Sequence, residues 1–260
     1  MLRRLLYLIG AYKIYEKWLT MQIKDKPIPQ HVALILDGNR RWARKHGLPP
    51  WYGHKVGAEK LRKVLRWLLD LNIKTVTVYA LSTENLKRDG KELKELLGIF
   101  EEYLKIALKD NIFEKYGVKF KAIGKIELLP ENIRKLLLKL EALTEKNEDR
   151  FLNLAVAYGG RTEIVEAAKK IVKDVLEGNI KPSEIDEKTF EKYLFTAHLP
   201  NPSPDLIIRT SGEERLSNFL LWQSAYSELC FLEVYWPEFR RIDLLRAIRT
   251  FQQRQRRFGK

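Results

Sequence analysis

The stretch His31–Ala43 reads HVALILDGNRRWA. Its apolar run, Val32–Leu36, predicts a buried β-strand that stops at an acid, Asp37, and is followed by a glycine, an asparagine and two arginines. Open α/β sheets place ligands just past the carboxyl ends of their strands. The guanidinium groups of Arg40 and Arg41 suit phosphate, whereas Asp37 repels phosphate unless a cation such as Mg²⁺ lies between them. The stretch therefore indicates either a phosphate and magnesium site or a turn capped by Asp37 with solvated arginines.

The composition limits the class of protein. The chain has 260 residues, a net charge of +14 and 45% hydrophobic residues, which suits one full α/β domain or two smaller ones. The charge favours nucleic acid, an anionic membrane surface or phosphorylated substrates. The single cysteine, Cys230, excludes an internal disulfide and indicates a reducing compartment, so we expect a cytoplasmic location. No apolar run approaches the roughly 18 residues of a membrane-spanning helix.

Strand patterns alternate with helix patterns along the chain, which predicts one α/β domain with a mainly parallel sheet. The other predicted strands are Lys74–Leu81, Val118–Ile123, Phe151–Ala157, Asp205–Arg209 and Leu229–Val234. The predicted helices are Lys55–Leu71, Lys91–Lys109, Glu131–Lys146, Thr162–Leu176, Ile185–Leu194 and Arg240–Arg257. A loop is expected over residues 46–57 (HGLPPWYGHKVG). The leucine-rich helices either form the core or line an apolar tunnel, because periodicity does not separate these readings.

Polar groups follow three of the predicted strands, so a parallel sheet would bring them to one rim. Asp37 follows the first predicted strand. The strand Lys74–Leu81 is followed by Ser82, Thr83, Glu84, Asn85 and Arg88. The strand Asp205–Arg209 ends at Arg209 and is followed by Thr210, Ser211, Arg215 and Ser217. We also expect Glu228 on this rim. Ser82 and Thr83 could instead be helix caps. Two magnesium-type acids and at least five arginines, without a P-loop or a G-x-G-x-x-G fingerprint, favour binding of two diphosphates.

Residues 2–19 form a predicted amphipathic helix, and residues 24–29 a linker, so the N-terminal unit is 1–29 and the main domain 30–260. Leu2, Leu5, Leu8, Ile9, Tyr12, Tyr15 and Leu19 share one face of this helix, although Glu16 interrupts it. Two alternatives stay open. The helix either lies on a membrane surface or docks on the body of the protein or on a partner.

Five blocks of the chain resemble the cis-prenyltransferases, of the undecaprenyl diphosphate synthase type. The blocks are HVALILDGNRRWA, GHKVG, YALSTENLKR, LNLAVAYGGR and IIRTSGEERLSNFLLWQSAYSEL, in that order between His31 and Gly259. The resemblance implies a homodimer, each subunit with a six-stranded, mostly parallel sheet, flanking helices and a hydrophobic tunnel. It implies Mg²⁺-dependent condensation of isopentenyl diphosphate onto an allylic diphosphate, with new cis double bonds, to make a long-chain polyprenyl diphosphate that serves as precursor of a glycosyl carrier lipid.

The resemblance also implies roles for residues. Asp37 would engage Mg²⁺ and diphosphate, and Asn85 would assist proton removal from isopentenyl diphosphate. Glu228 would be a second Mg²⁺ ligand, from the same or the neighbouring subunit. The residues implied in substrate binding are Gly38, Asn39, Arg40, Arg41, Trp42, His54, Ser82, Thr83, Glu84, Leu86, Arg88, Arg209, Arg215, Leu216, Ser217, Arg257 and Gly259. Of these, Arg209, Arg215 and Ser217 would hold isopentenyl diphosphate, and Arg257 and Gly259 would reach across the dimer.

The chain departs from the family pattern at three points. Leu86 stands where the family usually has tryptophan, Pro50 stands where a basic residue is frequent, and the N-terminal helix is longer than in short bacterial members. The DGNRRWA block resembles archaeal and eukaryotic members, which favours geranylgeranyl over farnesyl diphosphate as primer. A nucleic-acid partner is not expected, because aromatic residues do not interleave with the basic C-terminal run. A non-catalytic partner subunit is disfavoured by the intact DGN and STEN blocks.

Overall fold

The computed structural model describes residues 11–88 and 90–254. Within these residues, six strands form one sheet in which every pairing is parallel. The strands are β1 (His31–Ile35), β2 (Thr75–Ser82), β3 (Val118–Ile123), β4 (Arg150–Tyr158), β5 (Leu206–Thr210) and β6 (Glu228–Leu232). All six predicted strands are thus confirmed, with ends that shift by one or two residues.

The order of the strands is β3-β4-β2-β1-β5-β6, which puts β1 between β2 and β5. All five residues of β1 are buried, as expected for a central parallel strand covered by helices on both faces. Because the strands are parallel, the ends of β1, β2 and β5 meet at one rim, where the residues after each strand face the same space. The predicted convergence of these three strand ends is confirmed.

Helices cover the two faces of the sheet. They are α1 (Ala11–Lys24), α2 (Asn39–Lys45), α3 (Pro50–Asp70), α4 (Gly90–Ala107), α5 (Ile112–Lys115), α6 (Glu131–Leu143), α7 (Gly160–Leu176), α8 (Glu187–Glu191) and α9 (Arg241–Gln253). The larger core cluster includes Val64 and Leu68 of α3, Leu137 of α6 and Leu245 of α9. A smaller cluster around Phe219 packs on the other face.

The loop predicted over residues 46–57 is wrong for its second half, because α3 begins at Pro50. Proline suits the first turn of a helix, where its missing N–H needs no partner. The glycines that suggested a loop serve close packing instead. A Cβ at Gly53 would lie 2.1 Å from the carbonyl oxygen of Asn39, and one at Gly57 would lie 2.3 Å from the Asn39 side chain. These contacts fix the start of α2 against α3.

Helix α1 docks on α9, so for its described residues the alternative of a helix docked on the body is confirmed. Leu19 and Ile23 are buried in the main core, and Glu16 accepts a hydrogen bond from Arg241 at 3.0 Å. The face predicted to meet a membrane is therefore an internal contact. Residues 2–10 of the predicted helix lie outside the described residues. In the part of the chain that the structure describes, no helix is both long and apolar enough to cross a membrane.

Candidate active site

Asp37 lies two residues past β1, at the centre of the rim. Gly38 follows with a φ of 102°, which is a left-handed conformation that glycine adopts without steric cost. A Cβ at Gly38 would also lie 2.8 Å from the ring of Tyr235 and 3.0 Å from Ser211. The turn is held by the Asp37 carbonyl, which accepts hydrogen bonds from the Thr210 hydroxyl at 2.6 Å and from the Trp236 N–H at 3.0 Å. The glycine of the DGN block is thus required by conformation and by space.

Arg209 connects Asp37 to the loop that follows β5. Its side chain is 4% exposed, and Nη2 donates to Asp37 Oδ2 at 2.8 Å. Nη1 donates to the Ser217 hydroxyl at 2.6 Å and to the backbone carbonyl of Arg215. A buried guanidinium with these partners has a fixed orientation. Arg209 therefore sets the distance between the DGN turn and the loop from Arg215 to Ser217.

The carboxyl group of Asp37 stays ionised. Burial raises the pKa of Asp37, but the hydrogen bond and charge of Arg209, together with Ser211 and Arg41, lower it more, so the net shift is downward. Arg41 Nη2 lies 3.3 Å from Asp37 Oδ1, to which the Gly38 N–H also donates. With the Ser211 hydroxyl, these contacts occupy about the four acceptor positions of the carboxylate, so a further ligand would share or displace one of them.

The turn after β2 is closed by a reciprocal pair of hydrogen bonds. The Ser82 N–H donates to Asn85 Oδ1 at 3.0 Å, and the Asn85 N–H donates to the Ser82 hydroxyl at 3.2 Å. Ser82 and Asn85 therefore exchange hydrogen bonds as in a capping box, although Ser82 ends β2 and the residue before the short helix Asn85–Lys87 is Glu84. These bonds hold Asn85 at the rim. Glu84 accepts hydrogen bonds from Thr83 and from Asn218 Nδ2, the latter at 3.1 Å. Burial raises the pKa of Glu84, but these and other hydrogen bonds lower it by more, so the net shift is downward.

A second cationic group faces the rim from α2, α3 and the start of α4. Arg88 donates to Glu92 at 2.9 Å, and Arg40 Nε lies 3.4 Å from the same carboxylate oxygen. Arg88 Nη1 also lies 3.4 Å from Nε2 of His54. Because arginine only donates, this contact favours the tautomer with the proton on Nδ1. Burial, then the charges of Arg88 and Arg40, lower the pKa of His54 to about 4, so His54 is neutral near pH 7.

A cavity of about 900 Å³ opens between these groups and extends below the rim. Predicted site residues that line it are Asp37, Gly38, Asn39, Arg40, Arg41, His54, Ser82, Glu84, Asn85, Arg88, Arg209, Arg215 and Ser217. Its deeper wall is apolar and consists of Leu61, Leu65, Leu96, Ile99, Phe100, Tyr103, Leu104, Ala107, Phe113, Phe120, Leu140, Leu152 and Leu154. The leucine-rich helices therefore line a cavity as well as pack the core. The volume is typical of a ligand site.

Other predicted site residues lie elsewhere. The ring of Trp42 lies against that of His46, tilted by 33° with centroids 4.4 Å apart, and Thr83 donates to Glu84. Leu86 packs against the main core, and Leu216 packs against the cluster around Phe219. These four side chains do not line the cavity. Arg257 and Gly259 lie outside the described residues.

The expectation that Glu228 shares the rim with Asp37 is wrong within one chain. Glu228 begins β6 and pairs with Leu206 at the start of β5, whereas the rim follows Thr210 at its end. At about 3.3 Å per residue, the length of β5 separates Glu228 from the rim. Its carboxylate accepts a hydrogen bond from Arg254 at 2.7 Å. The prediction failed because Glu228 stands at the start of its strand, whereas the other rim residues lie at or beyond the ends of theirs.

Sequence reasoning missed Asn218, Glu92 and Glu213. Asn218 joins Glu84 to the N-terminus of α7, where its Oδ1 accepts from the Arg161 N–H at 2.9 Å. Glu213 accepts from Arg41 at 3.0 Å and also from Arg215, so it links two of the predicted phosphate ligands. An asparagine directly after the RLS block was the available signal for Asn218. The two acids gave no signal, because single glutamates are common throughout the sequence.

The donor set fits a magnesium ion that depends on its substrate. Asp37 is an ionised carboxylate that lines the cavity. The described residues contain no group of three or more His, Cys, Asp or Glu side chains that could hold a metal. Magnesium is commonly bound by one or two carboxylates plus substrate phosphates. Asp37 would therefore hold the ion together with a bound diphosphate.

Three buried polar atoms at the site have no hydrogen-bond partner. Among the residues that the structure describes, these are Nε of Arg209, Nε of Arg40 and Oδ1 of Asn39. All three residues line the cavity. Buried polar groups are normally paired, so a bound ligand or water would complete them.

A family model described as undecaprenyl diphosphate synthase matches residues 35–259. The chain belongs to this prenyltransferase family. It is 56% identical over 250 residues to the tritrans,polycis-undecaprenyl-diphosphate synthase (geranylgeranyl-diphosphate specific) of Methanopyrus kandleri, covering 96% of this chain and 92% of that one. The synthase of the same name from Thermococcus kodakarensis is 53% identical, covering 96% of this chain and 94% of that one.

Two solved structures of prenyltransferases share the fold. The lavandulyl diphosphate synthase of Lavandula x intermedia, solved with dimethylallyl diphosphate, has a TM-score of 0.87 and 40% identity, covering 90% of this chain and 99% of that one. A probable undecaprenyl diphosphate synthase of Campylobacter jejuni has a TM-score of 0.72 and 32% identity, covering 90% and 100%. The family resemblance read from the five sequence blocks is confirmed, and the protein is a transferase of prenyl groups.

Proposed function

We propose that this prenyltransferase condenses isopentenyl diphosphate repeatedly onto an allylic diphosphate, with each new double bond cis, to give a long-chain polyprenyl diphosphate of the undecaprenyl type. The observation that carries the proposal is the Asp37–Arg209 pair, 2.8 Å apart, at the mouth of an apolar cavity of about 900 Å³. Charged groups at the mouth suit diphosphates, and the apolar wall suits a growing hydrocarbon chain. The names of the archaeal relatives support the same reaction.

The polar and cationic side chains at the mouth fall into two groups, one for each diphosphate. Arg209, Arg215 and Ser217 form one side, where Arg215 is 63% exposed and free to turn toward a ligand from its contact with Glu213. Arg40, Arg88 and the neutral His54 form the other side, with Gly38, Asn39 and Arg41 between them. We assign isopentenyl diphosphate to the first group and the allylic primer to the second. Guanidinium groups match diphosphate oxygens in geometry and charge.

The proposed chemistry balances in one condensation. The bond between C1 of the allylic substrate and its diphosphate oxygen breaks, C1 bonds to C4 of isopentenyl diphosphate, and a proton leaves C2 of the same molecule. Asn85 has no titratable group, so we infer that it orients the substrate while a diphosphate oxygen accepts the proton. Arg40 and Arg88 would stabilise the charge that develops on the leaving diphosphate. One such donor typically lowers the activation barrier by roughly 2.7–4 kcal/mol.

Magnesium is the proposed cofactor. When bound, it would neutralise part of the charge on a diphosphate. Asp37 is held ionised for that role by Arg209 and Arg41. The Gly38 N–H donates to the same carboxylate, and Thr210 and Trp236 donate to the main-chain carbonyl of Asp37, so the carboxylate is oriented before a ligand arrives.

Chain growth is favourable in this cavity. Each five-carbon unit buries apolar surface worth up to about 4 kcal/mol, at roughly 0.8 kcal/mol per carbon. The product head stays at the charged mouth while its tail fills the apolar wall. Slow release of the long product follows from the same burial.

We propose geranylgeranyl diphosphate as the preferred primer, with farnesyl diphosphate as the alternative. The two archaeal relatives are named as geranylgeranyl-diphosphate specific, and the DGNRRWA block agrees with that group. We further propose a homodimer that works in the cytoplasm, with Glu228, Arg257 and Gly259 contributing to the site of the partner subunit. The product would serve as precursor of a glycosyl carrier lipid.

The test is direct. The full chain is incubated with Mg²⁺, labelled isopentenyl diphosphate and each primer in turn, and the lipid products are sized. We expect a long-chain product, formed faster from the geranylgeranyl primer and lost on chelation of Mg²⁺. Asp37→Asn keeps the shape of the side chain and should lower turnover by a factor of at least about 100. Near-normal product from Asp37→Asn would overturn the assignment.

A further inference from the structure

Helix α1 has a second, outer face that the described chain covers only in part, where Arg249 and Tyr15 lie against the ring of Trp18. Its inner face packs on α9. On the outer face, Ile14, Trp18 and Met21 are 70%, 42% and 65% exposed. Their spacing of four and three residues places them in one line along the helix. We call these three side chains the outer stripe. Large apolar side chains grouped on a surface indicate a partner.

Positive charge surrounds the outer stripe. Lys13 and Lys17 are exposed on the adjacent line of α1, and the exposed Arg246 projects from α9 over Tyr15. The only acid of α1, Glu16, forms an ion pair with Arg241 at 3.0 Å. The charge next to the stripe is therefore net positive. Apolar side chains with lysines beside them are typical of helices that lie in a membrane interface.

The outer stripe is held rigidly outward. Arg240, Arg246 and Arg249 of α9 lie over the rings of Tyr12, Tyr15 and Trp18 at 5.4, 5.0 and 5.1 Å. Gln252 Nε2 donates to the carbonyl oxygen of Ile23, in the last turn of α1, and to those of Lys26 and Pro27, which lie just after the helix.

The inner face already fills its contacts with Leu19 and Ile23, which are 0% and 2% exposed. The helix cannot rotate the stripe inward without breaking these contacts. Its exposed apolar surface is thus a fixed feature of the fold.

We propose that the outer stripe of α1 docks the protein on an anionic lipid bilayer, with Ile14, Trp18 and Met21 inserted and Lys13 and Lys17 at the headgroups. Tryptophan favours the boundary between headgroups and hydrocarbon, and lysine stems reach from apolar surface to water. Residues 1–9, MLRRLLYLI, continue the same composition in sequence, with apolar residues around two arginines. This contact goes beyond the proposed condensation and does not depend on it.

Flotation with lipid vesicles tests the proposal. The full chain is mixed with vesicles of phosphatidylcholine alone, or of phosphatidylcholine with phosphatidylglycerol. We expect partition into the anionic vesicles to be at least about tenfold stronger, and to weaken with salt. The double variant Ile14→Ser, Met21→Ser should lower that partition about tenfold or more, because its apolar side chains no longer insert. Lys13→Glu with Lys17→Glu should remove the preference for anionic lipid.

The matched control removes exposed apolar side chains from another helix. Val172 and Leu176 of α7 are 58% and 83% exposed, and Val172→Ser with Leu176→Ser should leave vesicle binding unchanged. Equal loss in the control, or a wild-type chain that stays with the aqueous fraction, would overturn the proposal. If the Ile14→Ser, Met21→Ser variant sedimented more slowly than the wild-type chain without lipid, the outer stripe would be a contact between two copies of the chain. That result would overturn the proposal. Condensation assayed without vesicles separates this outcome from failure of the proposed reaction.

Discussion

Arg209 shows how a single residue sets the geometry of the site. Its side chain is 4% exposed, and it donates hydrogen bonds to the carboxylate of Asp37, the Ser217 hydroxyl and the Arg215 carbonyl. A buried charge without such partners would be costly. The loop after β5 is therefore tied to the DGN turn by one guanidinium. What positions the far end of that loop is Asn218.

Asn218 is a positioning residue, and its loss should weaken binding of isopentenyl diphosphate. It has a φ of 65° and follows Ser217, which has a φ of 50°. Its Nδ2 donates to Glu84 and its Oδ1 accepts a hydrogen bond from the Arg161 N–H. Because Asn218 is fixed at both atoms, it holds the neighbouring Ser217 in place. Asn218→Gly removes the side chain but fits the backbone conformation. We expect it to raise the KM for isopentenyl diphosphate about tenfold, with a smaller effect on kcat.

An exchange of groups provides the control for Asn218. Asn218→Asp places a second carboxylate beside that of Glu84 and should raise the KM for isopentenyl diphosphate. Adding Glu84→Gln restores a hydrogen-bonded pair, now with the amide at position 84 and the carboxylate at position 218. Recovery of KM in the double variant relative to Asn218→Asp is the expected result. An unchanged KM in Asn218→Gly would show that the backbone alone holds the loop.

His31 should make the fold sensitive to acid. Its Nδ1 contacts the Asn201 carbonyl at 3.1 Å and its Nε2 contacts the Thr77 hydroxyl at 2.8 Å. Burial lowers the pKa of His31 to about 4, while the unfolded value is near 6.5. The unfolded chain therefore binds the proton first, and stability is lost as pH falls from about 6.5 to 4. The free energy of unfolding should be about 2 kcal/mol lower at pH 5 than at pH 7.5 from this residue alone.

Urea unfolding of His31→Gln at the two pH values measures that contribution. The variant can be less stable at both, because it disturbs a buried hydrogen bond, so the difference between the two pH values is the relevant quantity. We expect it to shrink by about 2 kcal/mol. The remaining dependence includes His54 and His198, whose pKa values are also lowered by burial, and Glu163, whose pKa is raised by burial. An equal difference in wild type and variant would contradict the assignment.

At the scale of elements, apolar runs predicted the strands well, since continuous burial leaves few alternatives. Three polar strand ends also predicted the rim, because parallel pairing alone brings them together. The start of α3 was missed, since proline and glycine at residues 49–57 serve helix packing rather than a loop. The contact of α1 with α9 involves residues more than 200 positions apart, and local periodicity does not report such pairs.

Helices α3 and α4 should control product length. A second cavity, of about 110 Å³, shares Leu65, Tyr103, Ala107, Phe113 and Leu152 with the deep wall of the main cavity. Ala107 is the smallest of these side chains and ends α4. Ala107→Phe fills this boundary, so the growing chain should meet a barrier earlier and the main product should shorten. Sizing the lipid products by chromatography measures the change.

The control for Ala107 makes the same substitution outside the cavity. Ala142 is exposed on α6, and Ala142→Phe should leave product length unchanged. Wild-type product length at normal turnover in the Ala107→Phe enzyme would contradict the prediction. Loss of all product with an intact melting transition would place the barrier close to the mouth instead of at the deep end.

At the scale of the whole molecule, the site in one chain lacks its second predicted acid. Glu228 lies at the start of β6, at the edge of the sheet, and bonds Arg254 close to where the described chain ends. The edge strand β6 is only half-buried, and exposed edges are commonly covered by another chain. These facts favour a contribution of Glu228 to the site of a second copy, in agreement with the proposed homodimer.

Mixed dimers distinguish contributions within one chain from those across the dimer. Asp37→Asn and Glu228→Gln should each be nearly inactive as homodimers. If Glu228 serves the partner subunit, a mixed dimer keeps one site with both native acids, so random exchange should restore about a quarter of wild-type activity. If Glu228 acted within its own chain, every site would lack one acid and mixing would restore nothing. Mixing Asp37→Asn with Arg209→Lys, two residues of the same rim, provides the control and should stay inactive.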